Sequence, residues 1–369
     1  MKKYNIAYVI TLSVIVVLLI LSGNYKKNVA SLIDNRFLTE FPEKIDSDLT
    51  KQLTDYTQDR IGCRDMMISF YTNFNNIVFH IFPNHVYGKD GNLFCNGKEY
   101  IASYQHLDGD EEYAEDFAQY IDKLQDYCNT REIEFVYMLN PDKKTIYPEK
   151  MPESIGVYDA ENLTEQIKRK IEEKGVRHVF IDDAFINKRG GEPLFYKCYD
   201  VSHWSDYGRI MGVNAVLKEL SYKPLSVAED FEKKETTVEK QIVSAVVINE
   251  ELTAYQPKYI YQKQEIDNLD ELELVFPEAF GVYKNINKGS CEKQKLLLLC
   301  DSYLLNYIDY FGDNFSEIIC VHAYDVPKLQ TLINIYEPDV LIFENVERAM
   351  AEFYPKEVIK NYNEAMKEE

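Results

Sequence analysis

The sequence predicts an α/β fold in three layers, a parallel sheet held between two layers of helices. Five short apolar runs, IEFVYML, VRHVFID, KLLLLC, EIICV and DVLIF, alternate with helical stretches. Runs of that length read as strands, and near-continuous apolar strands belong to sheets covered on both faces. The runs also give out at polar residues: Asn140, Asp182, Asp301 with Ser302, His322 and Glu344. In a parallel sheet these residues share one edge, where open α/β sheets place their ligands. Turn chemistry alone also ends strands with such residues.

At the N-terminus, Lys2 and Lys3 precede IAYVITLSVIVVLLILS, seventeen uncharged residues from 6 to 22. That is the short limit for a membrane span. A cleaved signal peptide calls for a small-x-small site, and LILSGNYKK offers a poor one. The expectation is therefore a signal anchor, a transmembrane helix over 1–24, with the body of the chain extracytoplasmic. The weak flanking charge bias leaves the orientation to length and position. Residues 25–85 carry apolar residues at helical spacing in FPEKIDSDLTKQLTDYTQDRIGCRDMMISFYTNF and are expected to form a helical stalk.

Residues 86–369 are the expected α/β domain. It opens on VYGKDGNLFC, where Asp90-Gly91 signals a hairpin. EDFAQYIDKLQDYCN reads as a helix before the first strand. ENLTEQIKRKIEEKG is a second helix, with Gly175 as its stop, and SDYGRIMGVNAVLKEL a third, capped by Ser205 or Asp206. Residues 223–290 are acidic and strand-like in places, which predicts an inserted β region. YLLNYIDYF and VPKLQTLINIY complete the helices.

The 369 residues suffice for one large domain or two ordinary ones, and 46% apolar content is that of a globular protein. A net charge of −21 argues against nucleic acid as a partner, which needs a basic face, and against broad contact with anionic lipid. The seven cysteines, Cys63, Cys95, Cys128, Cys198, Cys291, Cys300 and Cys320, stand singly, with no CxxC pair. A zinc site is not expected, and no metal or cofactor is implied. Cys300 and Cys320 end apolar runs and read as buried fillers.

Two stretches carry candidate chemistry. LLLLCDSYL delivers Ser302 at the end of a strand, and YDVSHWSDYG holds Asp200 three residues before His203. A carboxylate on one imidazole nitrogen fixes the tautomer, and the other nitrogen can then take a proton from a serine. Read alone, YDVSHWSDYG is equally a capped helix start with a surface histidine. Trp204, the only tryptophan, is expected to wall the site. Asn140 is either an oxyanion donor or part of an Asn-Pro turn. Asp301 is a rival acid, or a turn residue. The Ser302 N–H, expected at a helix N-terminus, is a further oxyanion donor. Glu344, Glu347 and Arg348 read as an ion-pair set and His322 as a packed strand end. Lys143 and Tyr147 receive no role.

Taken together, these elements resemble the SGNH-hydrolase-like proteins of polysaccharide O-acetylation, the AlgX/AlgJ-like and DHHW families. YTQDRIGCRDMM, VYGKDGNLF, FVYMLNPDKKTIYPEKMP, YDVSHWSDYG, LLLLCDSYL and PDVLIFENVERAM occur in the family order. The resemblance implies an SGNH-hydrolase-like fold and a Ser302–His203–Asp200 triad. The implied activity is transfer of an acetyl group onto an exported or cell-surface polysaccharide, with a membrane-bound O-acyltransferase as donor and the N-terminal helix in the membrane. A carbohydrate O-acetylesterase and a non-catalytic glycan-binding or scaffold subunit are the alternatives. Two positions depart from the pattern. Cys300 stands where the family has Gly, and Val201 where it usually has Asp, so the acid falls to Asp200. The cleft is expected near Trp204, lined by some of the 29 tyrosines.

Overall fold

The structure is a computed structural model, and it describes residues 2–31, 36–42, 45, 48–75, 78, 85–241, 247–266, 269–287 and 294–365. Cys291 and parts of the expected stalk and β insertion lie outside the described residues. The chain divides into two compact units, Met1–His85 with Glu239–Asn249, and Val86–Val238 with Glu250–Glu369.

The first unit contains helices α1 (Lys2–Leu21), α2 (Leu49–Arg60) and α3 (Arg64–Phe74). Arg60 organises its irregular part. Fully buried, its guanidinium donates to the carbonyls of Leu38, Thr39, Asn24 and Lys26 and to Glu40. Asp59 accepts from the N–H and hydroxyl of Thr39 at 2.8 and 2.7 Å. Helix α1 exposes apolar side chains all round, from Ile6 to Leu21. That apolar stretch is about 24 Å long at 1.5 Å per residue, against a hydrocarbon core of about 30 Å. Among the described residues, no helix is long and apolar enough to cross a membrane.

The second unit is the α/β body. Its sheet comprises β1 (Glu134–Asn140), β2 (His178–Phe180), β3 (Tyr261–Lys263), β4 (Gly281–Asn285), β5 (Lys295–Cys300), β6 (Glu317–His322) and β7 (Val340–Val346). The order is β2-β1-β7-β5-β6-β4-β3. The first five are parallel, and β4 and β3 extend the sheet antiparallel beyond β6. The acidic region 223–290 thus does two things. Part of it completes the main sheet, and Phe231–Gln241 with Val247–Pro257 forms a separate two-stranded hairpin.

Strand alternation divides the core. Leu296, Leu298 and Cys300 of β5 face one cluster, and Leu297 and Leu299 face the other. Helix α6 (Asp206–Glu219) covers the first face with Ile210, Val213, Val216 and Leu217. The second face is covered by α4 (Glu111–Asn129), α5 (Leu163–Glu173), α7 (Leu329–Tyr336) and α8 (Lys356–Ala365). Two expected signals fall in place: Ser205 caps α6, and Gly175 takes φ +71° after α5, whose start the structure adds as a capping box of Asn162 and Glu165. The hairpin Val86–Tyr87 with Leu93–Phe94 turns through Asp90 and Gly91, both at positive φ.

YLLNYIDYF is not a helix. Turns follow β5, Asn306 takes φ +68°, and only a 3₁₀ turn forms over Ile308–Phe311. The apolar spacing there reflects burial of Tyr303, Leu304, Ile308, Tyr310 and Phe311 in the core. Ser302 therefore has no helix dipole behind it.

Candidate active site

Strand β5 ends at Cys300, and the next residue locks the turn. The Asp301 carboxylate, almost fully buried, accepts the N–H of Tyr303 at 2.8 Å and that of Val346 at 2.6 Å. Its own N–H donates to Glu344 at 3.1 Å. Every polar group of Asp301 is thus engaged in the turn, and the rival-acid reading has no free oxygen to use. Ser302, between these anchors, is exposed.

The second loop is as tightly made. Asp200 Oδ1 accepts the N–H groups of Ser202 and His203 at 2.8 and 3.1 Å, an Asx-type turn. Its Oδ2 lies 2.9 Å from His203 Nδ1. His203 Nε2 lies 2.9 Å from Ser302 Oγ. The tautomer that satisfies both contacts carries its proton on Nδ1 and leaves Nε2 to accept from the serine. Burial raises the Asp200 carboxyl. The His203 contact and the two N–H donors outweigh that and hold it at about 2.

Trp204 joins the two loops. Its ring stands 4.8 Å from that of Tyr303, and its indole N–H donates to the Tyr303 carbonyl at 3.2 Å. The residue after His203 is therefore bonded to the residue after Ser302, across a sequence separation of 99. This corrects the expectation for Trp204: it is fully buried and braces the site from beneath, with no surface in the cleft. Gly212 makes room for it, since a Cβ there would stand 2.5 Å from the indole.

Asn140 is fully buried too, and its amide donates to Glu344. The Asn140 amide is thus spent on Glu344 and has no surface beside Ser302, which corrects its oxyanion reading, while Asp301 lines the same cleft as Ser302 with both carboxylate oxygens already taken by backbone N–H groups. Among the described residues the Ser302 N–H has no acceptor. Cys300 points into the core, its sulfur 3.7 Å from that of Cys320. It does not crowd the serine.

A cleft of roughly 660 Å³ opens at Ser302, lined also by Cys95, Tyr100, Arg348, Glu352 and Phe353. Arg348 donates from Nη1 to Asp142 and, at 3.3 Å, to the Tyr303 hydroxyl. The buried partner of Glu347 is Lys144. Burial keeps the Cys95 thiol above its ordinary value, which argues against a second nucleophile in the cleft. The sequence marks Arg348 only as part of an ion-pair set and carries no local sign that Cys95, Glu352 or Phe353 meets Ser302 here. The Glu-Arg pair of PDVLIFENVERAM was the available signal. Among the described residues, no group of three or more His, Cys, Asp or Glu could hold a metal ion.

Residues 86–268 match the family described as SGNH hydrolase-like domain, acetyltransferase AlgX. The match includes Asp200 and His203 and stops before Ser302. The resemblance read from the ordered sequence elements is thereby shown. No curated protein sequence matches the chain. Among solved structures, Bacillus cereus PatB1 is similar at a TM-score of 0.53 and 14% identity, over 71% of this chain and 95% of that one. PatB1 with a sulfonyl adduct is similar at 0.54 and 15%, over 71% and 96%. The O-acetyltransferase domain of Pseudomonas putida AlgJ gives 0.49 and 12%, over 77% and 100%. At these identities the PatB1 likeness establishes the SGNH-like α/β fold.

Proposed function

We propose that this chain, with its AlgX-type SGNH hydrolase-like domain, is an extracytoplasmic O-acetyltransferase that acts on an exported or cell-surface polysaccharide. One observation carries the reading: the Asp200–His203–Ser302 relay, with both contacts at 2.9 Å, at the mouth of a cleft. The acetyltransferase description of the matched family supports the reaction class.

Ser302 Oγ attacks the acetyl carbonyl of the donor as its proton passes to His203 Nε2. Asp200, ionised at neutral pH, stabilises the imidazolium. The candidates to meet the developing oxyanion are the Ser302 N–H, which has no acceptor among the described residues, and the guanidinium of Arg348, which lines the same cleft. Collapse expels the donor's leaving group, which takes the proton from His203, and leaves an acetyl ester on Ser302. A sugar hydroxyl then attacks that ester, gives its proton to His203, and departs acetylated as Ser302 is reprotonated. The polysaccharide is the acceptor, and a membrane-bound O-acyltransferase supplies the acetyl group. Helix α1 keeps the domain at the membrane. Its apolar length is short of the bilayer core, a mismatch that local thinning accommodates.

The exposure of Ser302 favours a second reading. Water reaches the acyl-serine as readily as a sugar does, and an O-acetylesterase of the same fold results. Polysaccharide O-acetyl content in cells carrying Ser302→Ala separates the two. Loss of acetyl groups is the expected outcome, a rise identifies an esterase, and no change identifies a scaffold.

A further inference from the structure

The loop that carries Asp200 and His203 is preceded by Lys197, Cys198 and Tyr199, and two buried charges converge on that segment. The Glu250 carboxylate, from the hairpin strand Val247–Pro257, accepts three consecutive N–H groups. Lys197 donates to Oε1, and Cys198 and Tyr199 donate to Oε2 at 2.8 and 2.6 Å. The Lys143 ammonium, just past the end of β1, donates to the carbonyl of Lys197 at 2.8 Å and to that of Leu93 at 2.9 Å. Both groups are more than nine-tenths buried.

Three successive N–H groups that converge on one anion form a nest, the arrangement proteins use to bind phosphate and carboxylate ligands. Here the anion is internal. Neither group touches His203 or Ser302, so neither has a place in the relay itself. Burying a carboxylate and an ammonium is costly unless both are well bonded. The segment they hold ends one residue before the acid.

We propose that Glu250 and Lys143 are positioning residues for the Asp200–His203 pair, a clamp that grips Lys197–Tyr199 by its N–H groups and by a carbonyl. The inserted hairpin thereby gains a purpose, since it delivers Glu250 to the triad loop. Lys143, whose motif had no assigned role, gains one as well. Burial draws the Lys143 ammonium down to about 7, and the Glu250 charge works against that shift. Released from the clamp, the Asp200 carboxylate is free to swing off His203 Nδ1, and His203 loses its tautomer and aim. A misplacement of about 1 Å at such a site costs up to about 100-fold in rate. The catalytic consequence rests on the reading of Ser302 as nucleophile.

Full-length protein in detergent, made as wild type, Glu250→Ala, Glu250→Gln, Lys143→Met and the exposed hairpin control Thr237→Ala, tests this. The first measurement is the downfield proton resonance of His203 Nδ1–H in its bond to Asp200, which needs no activity. The second is p-nitrophenyl acetate turnover, with labelling of Ser302 by phenylmethanesulfonyl fluoride. Glu250→Ala and Lys143→Met should lose or shift the resonance and lower kcat by about tenfold or more, with KM nearly unchanged. Glu250→Gln retains one acceptor oxygen and should recover part of both, and Thr237→Ala should match wild type. Where the alanine variant does not fold, Glu250→Gln gives the result, with an intermediate resonance expected. A folded Glu250 variant with a wild-type resonance overturns the clamp, whatever its turnover. Wild-type protein that neither turns over nor labels, while the resonance still responds to Glu250, overturns the nucleophile reading and leaves the clamp standing.

Discussion

Glu344→Gln should stabilise the protein at neutral pH, and the size of the effect follows from where Glu344 sits. It lies within β7, fully buried, and meets the Asn140 amide and the Asp301 N–H. Among the described residues no cation pairs with it. Burial raises the neighbouring Asp301 carboxyl, and the two backbone N–H groups it accepts draw it back in part. Burial, with the neighbouring Asp301 charge, raises Glu344 well above its ordinary 4.5. Keeping a carboxyl of ordinary value 4.5 protonated at pH 7 costs the folded state about 3 kcal/mol, at about 1.36 kcal/mol per unit.

The sign follows from proton counts. Above pH 4.5 the folded state binds a proton that the unfolded state has released, so stability falls as pH rises through that window. Glutamine carries no such linkage. Its oxygen accepts the Asp301 N–H, and its amide nitrogen donates to Asn140 Oδ1 once the Asn140 amide, which now presents Nδ2 to residue 344, turns over. Urea unfolding of both proteins from pH 4.5 to 8 should show them equal at the acid end. Glu344→Gln should be about 1 to 3 kcal/mol more stable near pH 7.5. A variant that is less stable at pH 7.5, with the same slope as wild type, would show that Glu344 is ionised and refute the reasoning.

Gly212→Ala gains about 1 kcal/mol of helix propensity but drives a methyl to 2.5 Å from the Trp204 ring. Overpacking costs about 1 to 3 kcal/mol, so Tm should hold or fall. Emission from Trp204, the only tryptophan, should shift as its packing changes, and adding Trp204→Phe should relieve the clash. An unshifted spectrum with full esterase activity would show that the ring has slack. Asp200→Asn should lower turnover on the order of 10³- to 10⁴-fold through loss of the His203 tautomer, measured with p-nitrophenyl acetate. Its acid-stability profile should change too. The Asp200 carboxyl, at about 2 against an ordinary 3.8, contributes stability that is full above about pH 4 and lost as pH falls through about 2, and the asparagine variant should lack that component. Arg60→Met should cost about 1 to 3 kcal/mol because it strands the buried Leu38 carbonyl and leaves those of Thr39, Asn24 and Lys26 without their donor, read as a loss of unfolding midpoint.

Sequence spacing reveals some of these features and is silent on others. The strands were legible because a buried strand is apolar on both faces, as Leu296 to Leu299 are. The triad was legible because Asp-x-x-His is a local turn and Ser302 sits at a strand end. YLLNYIDYF misled because apolar residues at three-to-four spacing also result when an irregular segment is buried from several sides, and Asn306 breaks the helix. Trp204 misled because a tryptophan beside a catalytic histidine can brace the site from below as well as wall it. Asn140 and Asp301 were drawn into the site by their strand-end positions, but each answers to Glu344. The supports Lys143 and Glu250 are 107 residues apart and meet over a third segment, and no local periodicity encodes such a meeting.

The two departures from the family pattern bear on whether the site is competent. A side chain in place of glycine before the Asp-Ser turn threatens the nucleophile only if it points to the cleft. Pleating decides this. Cys300 falls on the same face as Leu296 and Leu298, against Cys320, while the turn at Asp301 redirects the chain so that Ser302 emerges at the surface. The shift of the acid from position 201 to 200 is accommodated within the turn itself. One Asp200 oxygen caps two N–H groups and the other orients the imidazole, so the geometry of the pair is set over four residues. Decay into a scaffold would be expected to leave His203 and Ser302 misaligned or the acid displaced. Their alignment, with Trp204 tying the two loops, is what supports the proposal that Ser302 acts as a nucleophile.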